Sequence, residues 1–407
     1  MQSVEAAGLA IGNGHPPRVM GVLNVSPESP YDPSVVADPG PAATYIEEEL
    51  LAEGADIIDI GLESANKRFE TLTAAEELDR LETAIEIVES VSSATVFSIE
   101  TRYSEVADAA LSRGFDMVND VCGFADPEMP AVCAEHDAAV VKMASPPDLD
   151  RPGAIESVEG IYDALAAGGL TEKTIVDPAF GGWSTGKSTA VDRETFARLR
   201  EFRGLGQPIL VSINRKNFLK EVAGRSTDDA LPVSLAATSM AVARGAHVIR
   251  THDVCETRDA ALLGAAFAHD RVSQKGGTDR ELRIEELDVE RALDAKRHLD
   301  RIDAGADPGA AVARVLEIAG LRAGERDCLA GIVAPTGATL AVGADAGSSD
   351  ATRDRNEEGS DTEERAERAL LFGTIASLRT VAAAIEKRGE TPEGLRSVAA
   401  GLRATID

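Results

Sequence analysis

Polar residues recur at one kind of place in this sequence, the end of a short apolar run. Asn24 closes RVMGVLN, Glu63 follows DIIDIGL, Glu100 closes TVFSIE, and Asn119 and Asp120 close DMVND. Lys142 lies in AAVVKM and Asp177 closes KTIVD. Asn214, Lys216 and Asn217 follow PILVSI, and Arg250 and His252 end AHVIRTH. Singly, Asn24, or Asp177 before Pro178, reads as an ordinary turn residue. Gathered at one mouth, the set offers amide and carboxylate groups beside a basic trio, Lys216, Arg250 and His252. That mixture suits a ligand that joins a polar heterocycle to a phosphate-bearing group.

Such a gathering requires a scaffold. From Arg18 to about Ala268, eight β-rich apolar runs alternate with helical segments such as PAATYIEEELLAEG and LPVSLAATSMAVARGA. Near-continuous apolar strands alternating with helices predict a parallel sheet covered by helices. Eight units over about 250 residues predict an α/β fold of the TIM (β/α)8 barrel type, whose active sites lie at the C-terminal strand ends. A doubly wound open sheet would carry a glycine-rich turn after its first strand, where this chain has NVSPESP.

Bulk composition narrows the partners. The chain has 407 residues, 43% of them hydrophobic, and a formal net charge of −29. That charge argues against nucleic acid as a ligand. Lys supplies only nine of the 41 basic residues, a deficit that points to a halophile's cytoplasm. No apolar run is long enough for a membrane span, and the N-terminus does not read as a signal peptide. Cys122, Cys133, Cys255 and Cys328 show no zinc or disulfide spacing and read as core thiols.

GVLNVSPES, GADIIDIGLES, GFDMVNDVCG, IVDPAFG, ILVSINRKNFL and GAHVIRTHDV occur in the order and spacing of the dihydropteroate synthases, which the chain resembles over about Arg18–Ala268. The resemblance implies condensation of 6-hydroxymethyl-7,8-dihydropterin diphosphate with 4-aminobenzoate, releasing diphosphate. It implies Asn24 as a Mg²⁺ ligand that binds the leaving diphosphate together with Arg250 and His252, and Lys216 as a donor to the pterin's oxo group, with Lys216, Arg250 and His252 as the catalytic set. It implies Glu100, Asn119, Asp177, Lys216 and Asn217 as substrate-binding residues; a homodimer is also expected, with the C-terminal accessory domain as the default dimerisation element. Pterin-binding methyltransferases, and a non-catalytic pterin-binding paralogue, are the alternatives. The chain departs from the family at Glu100 (Asp), at Ala65 and Asn66 (Thr, Arg), at Asn217 (Ser), at Lys142 (His) and across ESPYDPS.

GGWSTGKS, Gly181–Ser188, also fits the phosphate-loop pattern. Asp177-Pro178-Ala179-Phe180 separate it from its strand, and no clear apolar helix follows, which argues against an ATPase. The barrel is expected over 1–272, followed by an accessory α+β domain over 273–407. There, KGGTDREL reads as a linker, IEELDVERALDAKRHLDRI and DPGAAVARVLEIAG as helices, and CLAGIVAPTGATLAVG as one or two strands. Residues 344–364 read as acidic and flexible, ERAERALLFGTIASLRTVAAAIEKRG as one long helix, and TPEGLRSVAAGLRATI as a last one.

Overall fold

The computed structural model describes residues 1–407 except 27–33, 37, 64–70, 151, 182–187, 269–271, 276–282, 343–366 and 407. The expectations for ESPYDPS, for the loop at 64–70, for the heart of GGWSTGKS and for the acidic segment fall largely or wholly outside the described residues. The chain divides into two compact units, Met1–Asp288 and Val289–Asp407.

The first unit opens with a hairpin, β1 (Val4–Ala6) and β2 (Leu9–Ile11). Then come the eight anticipated strands: β3 (Arg18–Asn24), β4 (Ile57–Gly61), β5 (Val96–Glu100), β6 (Met117–Asp120), β7 (Ala139–Met143), β8 (Thr174–Asp177), β9 (Leu210–Val211) and β10 (Val248–Thr251). They pair in parallel in the order β8-β7-β6-β5-β4-β3-β10-β9. A bridge between Val176 and Ile209, with Val176 N–H donating to Pro208 O at 2.9 Å, brings the first and last strands together. The sheet is a TIM barrel. Between the strands run α1 (Pro39–Tyr45, continued by a wider turn to Leu51), α2 (Ala74–Ser90), α3 (Ser104–Leu111), α4 (Met129–Glu135), α5 (Val158–Ala166), α6 (Thr189–Ala197), α7 (Asn217–Ala223) and α8 (Leu231–Ala243), with α9 (Val254–Ala266) after β10.

The strands' two-residue side-chain period separates the layers. Val19, Leu23, Ile58, Ile60, Phe97 and Ile99 point outward into the helices. Burying each such side chain contributes about 1.5–3 kcal/mol. The inward positions form tiers. At the base, Met20, Ile57, Val96 and Met117 pack with Val4, Ala6 and Ile11 of the hairpin, which plugs that end. The sequence reading had no role for this hairpin. It is tied down by Gln2 N–H to Gly206 O at 2.8 Å and by the Arg18 guanidinium on Ala10 O. Above the base the tiers turn polar.

Beyond β10, β11 (Val272–Lys275) and β12 (Arg283–Glu285) pair antiparallel. The fully buried Arg203 donates to Leu287 O at 2.6 Å and Glu286 O at 3.4 Å. These bonds hold the segment after β12 against the first unit, which therefore runs to Asp288 and not to the expected 272.

The second unit is α+β. Its sheet has the order β13 (Ala313–Leu321), β15 (Glu367–Thr374), β14 (Thr339–Val342), all antiparallel. Its helices are α10 (Ala292–Arg301), α11 (Ala323–Val333), α12 (Ile375–Glu386) and α13 (Glu393–Ile406). Three expectations are corrected. DPGAAVARVLEIAG is a short turn and a strand, because Leu316 and Ile318 alternate toward the core while Val315 and Glu317 do not. CLAGIV belongs to α11, leaving one strand after it. The long helix expected from ERAERALL is strand β15 followed by α12, with the break at Thr374, whose Oγ1 accepts from Ser377 N–H at 3.2 Å as an N-cap. Cys122 and Cys133 are core thiols as expected, but Cys255 is exposed and Cys328 half-buried.

Candidate active site

The polar tiers follow from strand register. Asn24 pairs with Gly61, Gly61 with Glu100 and Glu100 with Asn119, so neighbouring strands place these four residues in one row. One tier deeper, Val22 pairs with Asp59 and Asp59 with Ser98. Gly61 leaves room in the upper row: a Cβ there would lie 2.9 Å from Asn24 Oδ1. Asn24 Nδ2 donates to Ser34 Oγ at 3.0 Å, which fixes the amide's orientation and leaves its oxygen as the atom beside Gly61.

Arg250 is the centre of the arrangement. Its Nε donates to Asp59 Oδ2 and its Nη2 to Glu100 Oε2, each at 2.7 Å. Asn119 Nδ2 donates to the same Asp59 oxygen at 3.0 Å. Asp59 and Ser98 are both fully buried, and Asp59 Oδ1 and Ser98 Oγ have no hydrogen-bond partner among the described residues. Unsatisfied acceptors and hydroxyls buried inside a barrel are costly unless a ligand or water completes them.

The remaining groups stand around this centre. Asp177 acts electrostatically on Arg250, and Lys216 acts on both Glu100 and His252. Lys216 lies along Gly181, whose φ of +120° and lack of a side chain allow that approach. Asp177 is also the turn former its Asp-Pro context suggests, since its Oδ1 accepts from Ala179 N–H at 2.7 Å. Burial, reinforced by Arg250 and Lys216, pushes His252 down to about 3, so its imidazole is neutral at ordinary pH. Burial raises Glu100 to about 7, helped by Asp59 and opposed by Arg250.

Other strand-end residues do different work. Lys142 is buried, but outside the barrel. Its ammonium donates to Leu165 O and Ala167 O at the end of α5 and lies 5.0 Å from the centre of the Phe124 ring. It is a helix cap, because β7 points its even-numbered residues outward. Burial lowers it to about 8. Asp120 holds the loop after β6 through the N–H groups of Cys122 and Phe124. Glu63 accepts from Leu72 N–H and from Arg102, which ties it to the residues just before α2. Asn217 is exposed at the start of α7 and makes no hydrogen bond to the Arg250 cluster. Cys122, near a strand end, has a thiol raised far above its ordinary value by burial and is no nucleophile.

Asp59 is the functional candidate that the sequence reading passed over. It sits in DIIDIG between isoleucines, and the signal was available: an acid two residues before Gly61 shares Gly61's inward face.

No group of three or more His, Cys, Asp or Glu among the described residues could hold a metal. A hard cation at Asn24 would take one protein oxygen and draw its remaining ligands from phosphate and water, a habit of Mg²⁺. No described helix is long and apolar enough to cross a membrane.

The comparisons with known proteins agree with one another. A protein-family model described as pterin binding enzyme matches residues 20–252. A probable bifunctional folylpolyglutamate synthase/dihydropteroate synthase of Halobacterium salinarum is 38% identical over 261 residues, 61% of this chain and 31% of that protein. The chain therefore spans less than a third of that relative's length. The dihydropteroate synthase of Streptococcus pyogenes is 31% identical over 252 residues, 59% of this chain and 92% of that protein. A solved structure of Xanthomonas albilineans dihydropteroate synthase with 4-aminobenzoic acid is 32% identical. It covers 65% of this chain and 97% of that one, with a TM-score of 0.54.

Proposed function

We propose, because this chain belongs to the dihydropteroate synthase family of pterin-binding enzymes, that it condenses 6-hydroxymethyl-7,8-dihydropterin diphosphate with an arylamine, 4-aminobenzoate in the first instance, in folate biosynthesis. The observation that carries this reading is the Arg250 cluster. Two carboxylates and an amide, Asp59, Glu100 and Asn119, line the inner wall, and the cations and the neutral imidazole lie beside them.

The pterin edge offers N–H donors that match the carboxylates. Lys216 would donate to the ring's oxo group. The reaction breaks the bond between the methylene carbon and the diphosphate oxygen, and the amine nitrogen bonds to that carbon and loses a proton to solvent. No strong base is required, because the leaving group is already anionic and stable. Arg250, His252 and Lys216 would hold the diphosphate as its charge grows, the step where preorganised donors help most. His252 stays neutral until an anion arrives, so it can donate from one nitrogen without adding a third cation to the empty mouth. Asn24 Oδ1 would hold a Mg²⁺, which supplies charge neutralisation at the diphosphate. We place the reaction in a halophile's cytoplasm, in keeping with the lysine deficit. We assign the homodimer to the outer face of α8 and α9, where Met240, Leu262, Leu263 and Phe267 are 46%, 40%, 57% and 84% exposed.

The second substrate has a competing reading. Ala65 and Asn66 stand where the family has Thr and Arg, which favours an altered arylamine site or a binder without turnover. One experiment separates the readings: the full chain with the pterin diphosphate, Mg²⁺ and 4-aminobenzoate in high salt, with released diphosphate followed in time. Release that depends on the arylamine supports the transferase. Pterin binding with no release, for any arylamine tried, refutes it and leaves the binding paralogue. Methyl transfer to a corrinoid would establish the methyltransferase instead.

A further inference from the structure

An ion pair flanks Lys216 and His252 in the chain. Arg215 immediately precedes Lys216, and Asp253 immediately follows His252. The Arg215 guanidinium grips the Asp253 carboxylate as a fork, Nε to Oδ2 at 3.0 Å and Nη2 to Oδ1 at 2.9 Å. Its Nη1 donates to Thr227 O and Asp228 O, each at 3.0 Å. Asn214 Nδ2 adds bonds to Asp253 Oδ2 at 2.8 Å and to Thr251 Oγ1 at 3.0 Å. The pair is largely buried, with 17% and 13% of the two side chains exposed.

The backbone shows what the pair is for. Arg215 has φ +51°, the left-handed region that a side-chain-bearing residue enters at a cost of about 1–2 kcal/mol. Such conformations persist only where surrounding bonds over-determine them. Here the Arg215 N–H is held by Ser234 Oγ at 2.8 Å and its side chain by Asp253 and two carbonyls. From that reversal the chain straightens at Lys216, φ −70° and ψ 151°, before entering α7. The left-handed residue thus sets the direction in which Lys216 leaves the backbone.

We propose that Arg215 and Asp253 are a positioning pair that bolts the loop after β9 to the loop after β10, and so fixes Lys216 relative to His252 for the diphosphate. This rests on the function proposed above for those two residues. Arg215 is a positioning residue and not a ligand contact, because its Nε and both terminal nitrogens are engaged by protein acceptors. A fork between a guanidinium and a carboxylate suits that task, since two parallel bonds fix angle as well as distance. Neither strand alone can set the offset between an ammonium on one loop and an imidazole on the next.

The test compares two probes on the full chain in high salt: inorganic diphosphate with Mg²⁺, and 6-hydroxymethylpterin, which lacks the diphosphate. Calorimetry is run on the wild type, Asp253→Asn, Arg215→Lys and the double variant. Asp253→Asn keeps the side chain's shape, and Arg215→Lys keeps its charge, so the fold has two routes to survive. The expected result is roughly tenfold or greater weakening of diphosphate in each single variant, with a smaller loss for the pterin, which draws on Lys216 but not on His252. The double variant is expected to lose no more than the worse single one, the signature of one shared interaction. Equal losses for both probes, unchanged diphosphate binding, or additive losses in the double variant would each overturn the proposal. A wild type that binds pterin but no diphosphate would instead overturn the parent reading of Lys216 and His252.

Discussion

Replacing Asp59 by Asn tests the candidate that periodicity concealed. The substitution keeps the volume and removes the charge. Asp59 Oδ2 now serves Arg250 Nε at 2.7 Å and Asn119 Nδ2 at 3.0 Å. Arg250 stays charged and still donates to the amide oxygen, so the swap removes one charge of the pair but not the bond, at a cost to Arg250 of about 1–2 kcal/mol. Two effects offset this. Arg250 keeps Glu100 at 2.7 Å, and Glu100 loses the neighbouring charge that helps raise it. The net change in stability is expected below about 1 kcal/mol, a shift of at most about 4 °C in Tm. The ligand has no such compensation. An acceptor buried opposite a pterin N–H is charge-assisted, and its loss costs about 1.5–3 kcal/mol, or roughly 10- to 150-fold in Kd. The assay is fluorescence titration of 6-hydroxymethylpterin at pH 8, with Tm measured in parallel. A Kd within about threefold of wild type, at unchanged Tm, would show that Asp59 serves Arg250 alone. A fall in Tm of more than about 10 °C would show that the offsetting terms were misjudged.

Four further residues give outcomes from the same geometry. Because Glu100 is raised to about 7, pterin affinity should fall about tenfold per pH unit below 7 as the acceptor is protonated, and Glu100→Gln should flatten that limb in the same titration. The stability sign is opposite: in the ligand-free chain this group's contribution is full below pH 4.5 and is lost as pH rises through 7. His252, pushed down to about 3, works the other way, so the wild type's Tm should drop more steeply than that of His252→Gln as pH falls from 6.5. In Gly61→Ala the added methyl group would lie 2.9 Å from Asn24 Oδ1, and Mg²⁺-dependent diphosphate binding is expected to weaken while pterin binding holds, by calorimetry. Lys142→Met should leave KM for the pterin diphosphate unchanged, since its ammonium caps α5 outside the barrel; a rise in KM would place it at the mouth after all.

The barrel was legible because each of its strands carries its own evidence, an apolar run with a polar end. Arg250, Glu100, Asn119 and Asp177 could be named from strand ends because a barrel turns position along a strand into position in space. Asp59 could not be found that way, being one step below the end. Lys142 stood near a strand end yet pointed outward, a matter of parity and not of place. The second unit was harder. Val312 and Leu316 satisfy a helical spacing, while Leu316 and Ile318 satisfy a strand's, and pairing with β15 decides for the strand. That partner lies some fifty residues downstream, outside any local window. The break at Thr374 between β15 and α12 was similarly hidden, because the apolar residues continue across it.

The hairpin closes the base of the barrel, so Asp59 and Glu100 are reached from the end where the strands finish. If the reaction is the proposed transfer, whatever recognises Asp59 and Glu100 must arrive first and leave last. The arylamine must come through the same opening through which diphosphate later departs. Traffic therefore has an order set by depth, and an arylamine analogue that occupies the doorway would also trap a pterin already at the bottom.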